Sequence, residues 1–147
     1  MSIEVTKLQE KAQKGYTVCF IESCPKHGQC LRYQVGQHGK TLPYVVPSVN
    51  PLNPEVKSGN CPLFKSEELQ RMAKGMMHLL TDDMPSRMER AIRHELFAYF
   101  GRTLYYEYRK GLHLLSPKQQ KDIADILKFC GWKKEPQFDE YVEDYDW

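Results

Sequence analysis

The sequence lacks the features of a membrane or secreted protein. None of its apolar runs approaches the roughly 18 residues that a membrane-spanning helix needs. Residues 1–11 carry a charge every few positions, so they do not form the apolar core of a signal peptide. We therefore expect a cytoplasmic protein with no membrane partner, in a compartment where structural disulfides are disfavoured.

Common catalytic motifs are also missing. There is no phosphate-binding glycine loop, no His-Glu-x-x-His, no glycine-flanked serine and no Cys-x-x-Cys. Of the five histidines, only His27 lies beside a nucleophile, Cys24 or Cys30. Neighbours within one loop seldom reach the geometry of a catalytic pair. We therefore expect a non-enzymatic role.

The composition is that of a folded protein. The chain has 147 residues, of which 41% are hydrophobic and 27% are charged, and this predicts one domain over residues 1–147. The net charge of +2 divides into +4 for residues 1–66, +4 for 67–134 and −6 for 135–147. Such mildly basic segments attract phosphate only weakly. Aromatic residues interrupt the acidic end, so we expect that end to be ordered.

The most specific chemistry lies between residues 19 and 61, where four of the five cysteines occur: Cys19, Cys24, Cys30 and Cys61. Clustered thiols in a reducing compartment usually share a metal or act in redox chemistry. We expect zinc held by these four thiolates, with His27 able to replace Cys19. The gaps of four, five and thirty residues are wide for structural zinc and also suit an iron–sulfur cluster. Unmetallated buried thiols and a thiol redox role remain alternatives.

The two halves of the chain differ in pattern. Residues 1–65 are rich in cysteine, proline and glycine, and Tyr16–Ile21 is typical of a short strand. Residues 66–147 show helical spacing. We expect helices after Ser66, after Ser86 and after Ser116, with Cys130 on the buried face of the last. The predicted fold is α+β, an irregular metal-clipped part packed on a bundle of three to four helices.

A basic, aromatic stretch in the second half is a candidate surface for nucleic acid or a protein partner. Its residues are Arg102, Tyr105, Tyr106, Arg109 and Lys110. Guanidinium groups contact phosphate and aromatic rings stack on bases. The alternative is that the nearby acids Glu89, Glu95 and Glu107 neutralise the cations, while the tyrosines border a core.

Several motifs along the chain resemble an uncharacterised bacterial family of about this length. They are Cys19-x4-Cys24-Pro-x4-Cys30-Leu-Arg, Asn50-Pro51, Cys61-Pro, Gly101-Arg-x2-Tyr-Tyr-x-Tyr-Arg-x-Gly111, Leu115-Ser-Pro-x-Gln-Gln and Phe138-Asp-x-Tyr. The resemblance implies that both halves belong to one unit. That family has no assigned activity, so the resemblance supplies no catalytic or binding residue.

Overall fold

The computed structural model describes residues 3–147 and places them in two compact units. The first unit comprises residues 3–68 with Tyr145–Trp147, and the second comprises Leu69–Asp144. Six α-helices and a three-stranded antiparallel sheet lie within the described residues, so the predicted α+β class is confirmed. No helix in residues 3–147 is both long and apolar enough to cross a membrane.

The first unit contains three short helices around a small apolar core. They are α1 (Val5–Gln13), α2 (Leu31–Gly36) and α3 (Pro54–Lys57), with 3₁₀ turns at His27–Gln29 and Gly39–Thr41. Leu8 and Ala12 are buried on one face of α1, as a spacing of four residues requires. The predicted strand Tyr16–Ile21 forms only an isolated parallel bridge, from Val18 to Ser48.

The last three residues complete the core of the first unit. The side chain of Tyr145 is buried there, next to Trp147. The Trp147 ring meets the Tyr16 ring edge to face, with centroids 5.9 Å apart, and Lys11 Nζ lies 5.0 Å from its centre. These contacts confirm that the acidic, aromatic end is ordered.

The sheet belongs to the second unit. Its strands are β1 (Gln70–Lys74), β2 (Leu114–Leu115) and β3 (Glu140–Asp144), in the order β2-β1-β3. Ala73 in the central strand pairs with Leu115 on one side and with Tyr141 on the other.

The helix predicted after Ser66 is therefore wrong. The apolar residues from Leu69 onwards have helical spacing, but cross-strand pairing with β3 overrides it. Gly75 ends the strand at a φ of 85°, and a side chain there would overlap the Asp139 carboxylate. Ser66 instead closes a short turn, because its Oγ accepts a hydrogen bond from the Glu68 amide.

Three helices supply the rest of the second unit: α4 (Ser86–Phe100), α5 (Arg102–Arg109) and α6 (Pro117–Phe129). The helix predicted after Ser86 is present, but it begins at Ser86 itself, with Pro85 at the N-cap and no capping side chain. The helix predicted after Ser116 is also present, and it begins with a capping box in which Gln119 is the reciprocal partner of Ser116. Ile92, Leu96, Ile123 and Leu127 form the fully buried centre of this unit. Cys130 packs half-buried against that core.

Replacing Trp147 with alanine should lower the free energy of unfolding by about 1–3 kcal/mol, because the change removes a partly buried ring from the first core. Urea denaturation followed by circular dichroism measures the effect. The matched control is Phe129→Ala, whose ring is 81% exposed and whose loss should change the free energy by less than about 0.5 kcal/mol. An unchanged transition in Trp147→Ala would contradict the anchoring role.

Candidate metal centre

Backbone hydrogen bonds bring the cysteine-bearing segments of the first unit side by side. The Cys19 amide donates to the carbonyl of Arg32 at 3.0 Å. Cys30 forms an isolated antiparallel bridge with Ser66, five residues beyond Cys61. Main-chain pairing therefore holds together three segments that are far apart in sequence, independently of their side chains.

Tight turns position the remaining cysteines. The His27 amide donates to the Cys24 carbonyl at 3.1 Å, and the Cys30 amide donates to the His27 carbonyl at 3.3 Å. A separate turn starts at Cys61, whose carbonyl accepts from the Phe64 amide at 3.2 Å. Each of these cysteines therefore lies in a turn that a backbone hydrogen bond closes.

The four cysteines and His27 line one cavity of about 30 Å³. This volume is large enough for an occupant the size of a water molecule. Cys19 and Cys30 are buried, while Cys24 and Cys61 are half-buried. Apolar residues and two cations complete the lining: Ile21, Tyr33, Val49, Val56, Gly59, Leu63, Phe64, Lys26 and Arg32. The residues predicted as ligands from sequence therefore line the same cavity.

The side chains are not arranged as a finished ligand set. Within residues 3–147, no three or more Cys, His, Asp or Glu side chains form a group that could hold a metal ion as they stand. All five cysteines are free thiols. Thiolates and imidazole are chemically suited to zinc, so the donor types fit while their spacing would have to tighten around an ion.

Burial raises the pKa of the Cys19 thiol above its ordinary value. A hydrogen bond from the Ile21 backbone acts in the opposite direction, and negative charge on Cys30, Cys24 and Cys61 raises the pKa further. Charge on the other three cysteines therefore affects the pKa of Cys19. Without a cation, Cys19 remains a protonated thiol at neutral pH and is a poor nucleophile.

His27 is oriented by its own turn. Its Nδ1 lies 2.7 Å from the Cys24 carbonyl, and its ring meets the Tyr33 ring edge to face at 4.8 Å. Because a carbonyl only accepts, Nδ1 carries the proton and Nε2 keeps the lone pair. A backbone partner of this kind commonly fixes the tautomer of a metal-binding histidine.

Sequence reasoning missed the role of Arg32. Its Nε donates to the Leu63 carbonyl at 2.8 Å, and its Nη1 donates to the Thr17 carbonyl at 3.1 Å. Thr17 lies two residues before Cys19, and Leu63 lies two residues after Cys61. One guanidinium therefore ties together the segments that carry two of the cysteines. The only feature of the sequence that could have indicated this role is the position of Arg32, two residues after Cys30.

Gly36 allows α2 to approach the same segment closely. A Cβ on Gly36 would lie 2.5 Å from the carbonyl oxygen of Cys19. Any side chain at this position would push the Cys19 backbone out of place.

The predicted binding residues of the second unit differ in their exposure. Arg102, Tyr106 and Lys110 are exposed, and Arg109 is half-buried. Tyr105 is only 3% exposed and its ring meets the Phe97 ring edge to face at 4.9 Å. Tyr105 therefore belongs to the core rather than to a surface.

Of the three acids in the alternative interpretation, Glu89 forms the expected pair with a cation of its own helix, and the other two lie beside histidines. Glu89 pairs with Arg93 at 2.6 Å, and Glu107 pairs with His113 at 2.6 Å. Glu95 lies 3.7 Å from His94. Within residues 3–147, neither Arg102 nor Lys110 forms a salt bridge, and the same holds for Arg87, Arg90 and Arg109.

Comparison with known proteins gives one result. No curated protein and no solved structure matches the chain. A family model described as a family of unknown function, DUF6078, matches residues 1–147. This match confirms the sequence-based prediction of an uncharacterised family, and the chain belongs to DUF6078 over its whole length.

Proposed function

We propose that this chain is a non-enzymatic interaction module, and that its first unit is stabilised by a zinc ion bound to Cys19, Cys24, Cys30 and Cys61. The observation that supports the proposal is the single small cavity that these four cysteines line together with His27. Metal binding would draw the sulfurs inward, since ligand sets often close only when the ion enters. The lone pair on His27 Nε2 offers a substitute for the Cys19 thiolate.

Zinc fits this cavity better than the alternatives. His27 adds an imidazole to the four thiols that line the cavity, and mixed sulfur and nitrogen ligands are typical of zinc, whereas four thiolates are the usual ligands of an iron–sulfur cluster. A redox role would need a cysteine that is readily ionised, whereas burial raises the pKa of Cys19. The iron–sulfur or thiol redox protein is the alternative function, and the colour and metal content of the protein distinguish the two.

The cytoplasmic location, the bacterial distribution of the family and the cysteine motif as its signature are parts of the same proposal. The location is inferred from the sequence pattern and from the reduced state that zinc thiolates require, and the other two are inferred from the resemblance described above.

The exposed cations of the second unit supply the proposed contact with a partner. Arg102 and Lys110 on and beside α5 have no salt-bridge partner within residues 3–147, and the exposed Tyr106 lies between them in sequence. Cations without internal partners are available to phosphate, and an exposed ring can stack on a base. Nucleic acid is therefore the proposed partner class, with an acidic protein surface as the alternative.

The metal proposal predicts about one zinc ion per chain after purification from reducing medium. Changing Cys30 to serine should reduce the zinc content to a small fraction of this value, because a serine hydroxyl does not replace a thiolate ligand. Mass spectrometry of metals measures the content. Cys130→Ser is the matched control, since Cys130 lies in the second unit and should be dispensable for zinc. A colourless wild-type protein without bound metal would contradict the proposal, and a brown protein containing iron and sulfide would support the alternative.

Arg32→Lys keeps the charge but should weaken zinc binding by about 10-fold, because lysine cannot reach both the Thr17 and Leu63 carbonyls. Competition with a chromophoric chelator measures the affinity. The control is Arg71→Lys, an exposed arginine of the second unit that lies over the Tyr141 ring. Equal affinities in wild type and Arg32→Lys would mean that the guanidinium does not position the cysteines.

The partner proposal predicts weak, salt-dependent binding of single-stranded RNA or DNA. Changing both Arg102 and Lys110 to alanine should lower the affinity several-fold at low salt and reduce the slope of log K against log [salt] by about 1 to 2. Fluorescence anisotropy with a labelled oligonucleotide measures both quantities. Lys118→Ala is the control, because Lys118 already pairs with Asp122 at 2.9 Å. The absence of binding by the wild type at low salt would exclude nucleic acid as the partner.

A further inference from the structure

A second group of cations lies on α4, outside the surface proposed above for a partner. Arg87 and Arg90 are exposed. Neither forms a salt bridge with any residue in the part of the chain that the structure describes. A guanidinium keeps its charge at any physiological pH and can donate two parallel hydrogen bonds to a phosphate. These two arginines are therefore available to an anionic ligand.

Helical periodicity places both arginines on one exposed face of α4. Residues three or four positions apart lie on the same face of a helix, and this face is about 17 Å long. All of its members are exposed, and none of them is acidic: Arg87, Arg90, Ala91, His94 and Ala98. A polyanion that lies along this face therefore meets cations and small side chains.

The two acids of α4 lie outside this face. Glu89 is half-buried and pairs with Arg93 at 2.6 Å. Glu95 is half-buried at the border of the face, 3.7 Å from His94, so we assign no cationic role to that histidine. The charges on Arg87 and Arg90 therefore remain uncompensated on the helix that carries them.

Aromatic contacts join this face to the surface proposed for α5. Phe97 follows His94 by three positions and Arg90 by seven, so it lies on the same side of α4. The centroid of its ring lies 5.9 Å from that of Tyr106 and 4.9 Å from that of Tyr105. The exposed Tyr106 is therefore beside the end of the arginine-bearing face.

The ring of Tyr106 is a restrained surface on which a base could stack. It meets the Tyr105 ring edge to face at 5.1 Å and the Phe97 ring at a tilt, yet Tyr106 is 37% exposed. Stacking of a base on an aromatic side chain is tolerant of sequence. Bases of a single strand can be splayed out for stacking, whereas those of a duplex are already stacked and paired. The ring therefore suits an unpaired strand.

We infer that α4 extends the partner site of α5, and that a single-stranded nucleic acid lies along both helices. Its phosphates contact Arg87, Arg90 and Arg102, and one base stacks on Tyr106. The inference rests on the proposed nucleic-acid partner, and it adds a longer site and a preference for unpaired strands. Charge complementarity supports this occupant, because a row of cations without internal partners matches the repeated negative charge of a phosphate backbone.

A double variant, Arg87→Ala with Arg90→Ala, tests the inference by fluorescence anisotropy. We expect its affinity for a labelled single strand of about 12 nucleotides to fall about 5- to 10-fold at low salt. The slope of log K against log [salt] should decrease by about 1.4, since two phosphate contacts to a single strand are lost. A strand of about 4 nucleotides can bind at Tyr106 without reaching both arginines, so its affinity should change less than about 2-fold.

The matched control is Lys118→Ala with Lys128→Ala, which changes the net charge by the same amount. Both lysines are exposed on α6, away from the proposed path along α4 and α5. Alanine is favourable at exposed helical positions, so both double variants should keep the wild-type circular dichroism spectrum. Screening by salt should keep the affinity of the control within about 2-fold of the wild type.

The outcomes separate this inference from the proposed function. A wild type that binds no oligonucleotide at low salt overturns both. A wild type that binds, with unchanged affinity and salt slope in the α4 double variant, overturns this inference alone. Equal losses in the two double variants, or for the short and the long strand, also overturn it, because the effect would then depend on neither position nor length.

Competition identifies the occupant. Unlabelled single strand should displace the labelled strand more effectively than a duplex of the same length or poly-glutamate of equal charge. A duplex that competes equally well would show that no unpaired base is needed at Tyr106. Poly-glutamate that competes equally well would show that the surface recognises an acidic peptide. Either result would overturn the inference.

Discussion

Main-chain hydrogen bonding between distant segments is the constraint on which the first unit depends. This unit has only short helices and isolated bridges, so it cannot rely on a long regular element for its shape. The amides of Cys19 and Leu31 donate to carbonyls 13 and 34 residues away, at Arg32 and Lys65. Each such bond closes a large loop and must offset its entropy. The small apolar core around Leu31 and Val35 contributes much of that stabilisation.

A cross-link at the cysteines would stabilise the first unit, because it would help to hold these large loops closed. Small cores often need a metal or a disulfide to hold irregular chain segments. Arg32 serves the same purpose without a metal, because its guanidinium donates to two carbonyls 46 residues apart in sequence. The metal proposal therefore adds a second cross-link to a site that already has one. Zinc would act on the same two segments, through Cys19 and Cys61.

Residue patterns predicted the local features of this chain better than the long-range ones. The α6 helix begins at a capping box because Ser116, Pro117 and Gln119 act on the nearest turn alone. The cysteines line one cavity. Their clustering was predicted from the chemistry of thiols, and no periodic pattern in the sequence indicated it. The β1 strand could not be recognised locally, since its apolar residues have helical spacing and its conformation is set by β3, some 70 residues later. The one local sign against a helix at this position was Gly75, because glycine is unfavourable inside a helix.

Electrostatic repulsion and desolvation bear on whether the cysteine cavity suits metal binding or redox chemistry. Four thiolates that line one small cavity would repel one another, and burial adds a desolvation penalty to a charge on Cys19. Burial raises the pKa of Cys19, so without a cation this thiol stays protonated at neutral pH. A protonated buried thiol is a slow nucleophile, so Cys19 is poorly suited to thiol exchange. A divalent cation removes the repulsion and displaces the protons, which couples metal binding to proton release. In the proposed site, the burial that makes Cys19 a poor nucleophile would be offset by an ion that binds several thiolates at once.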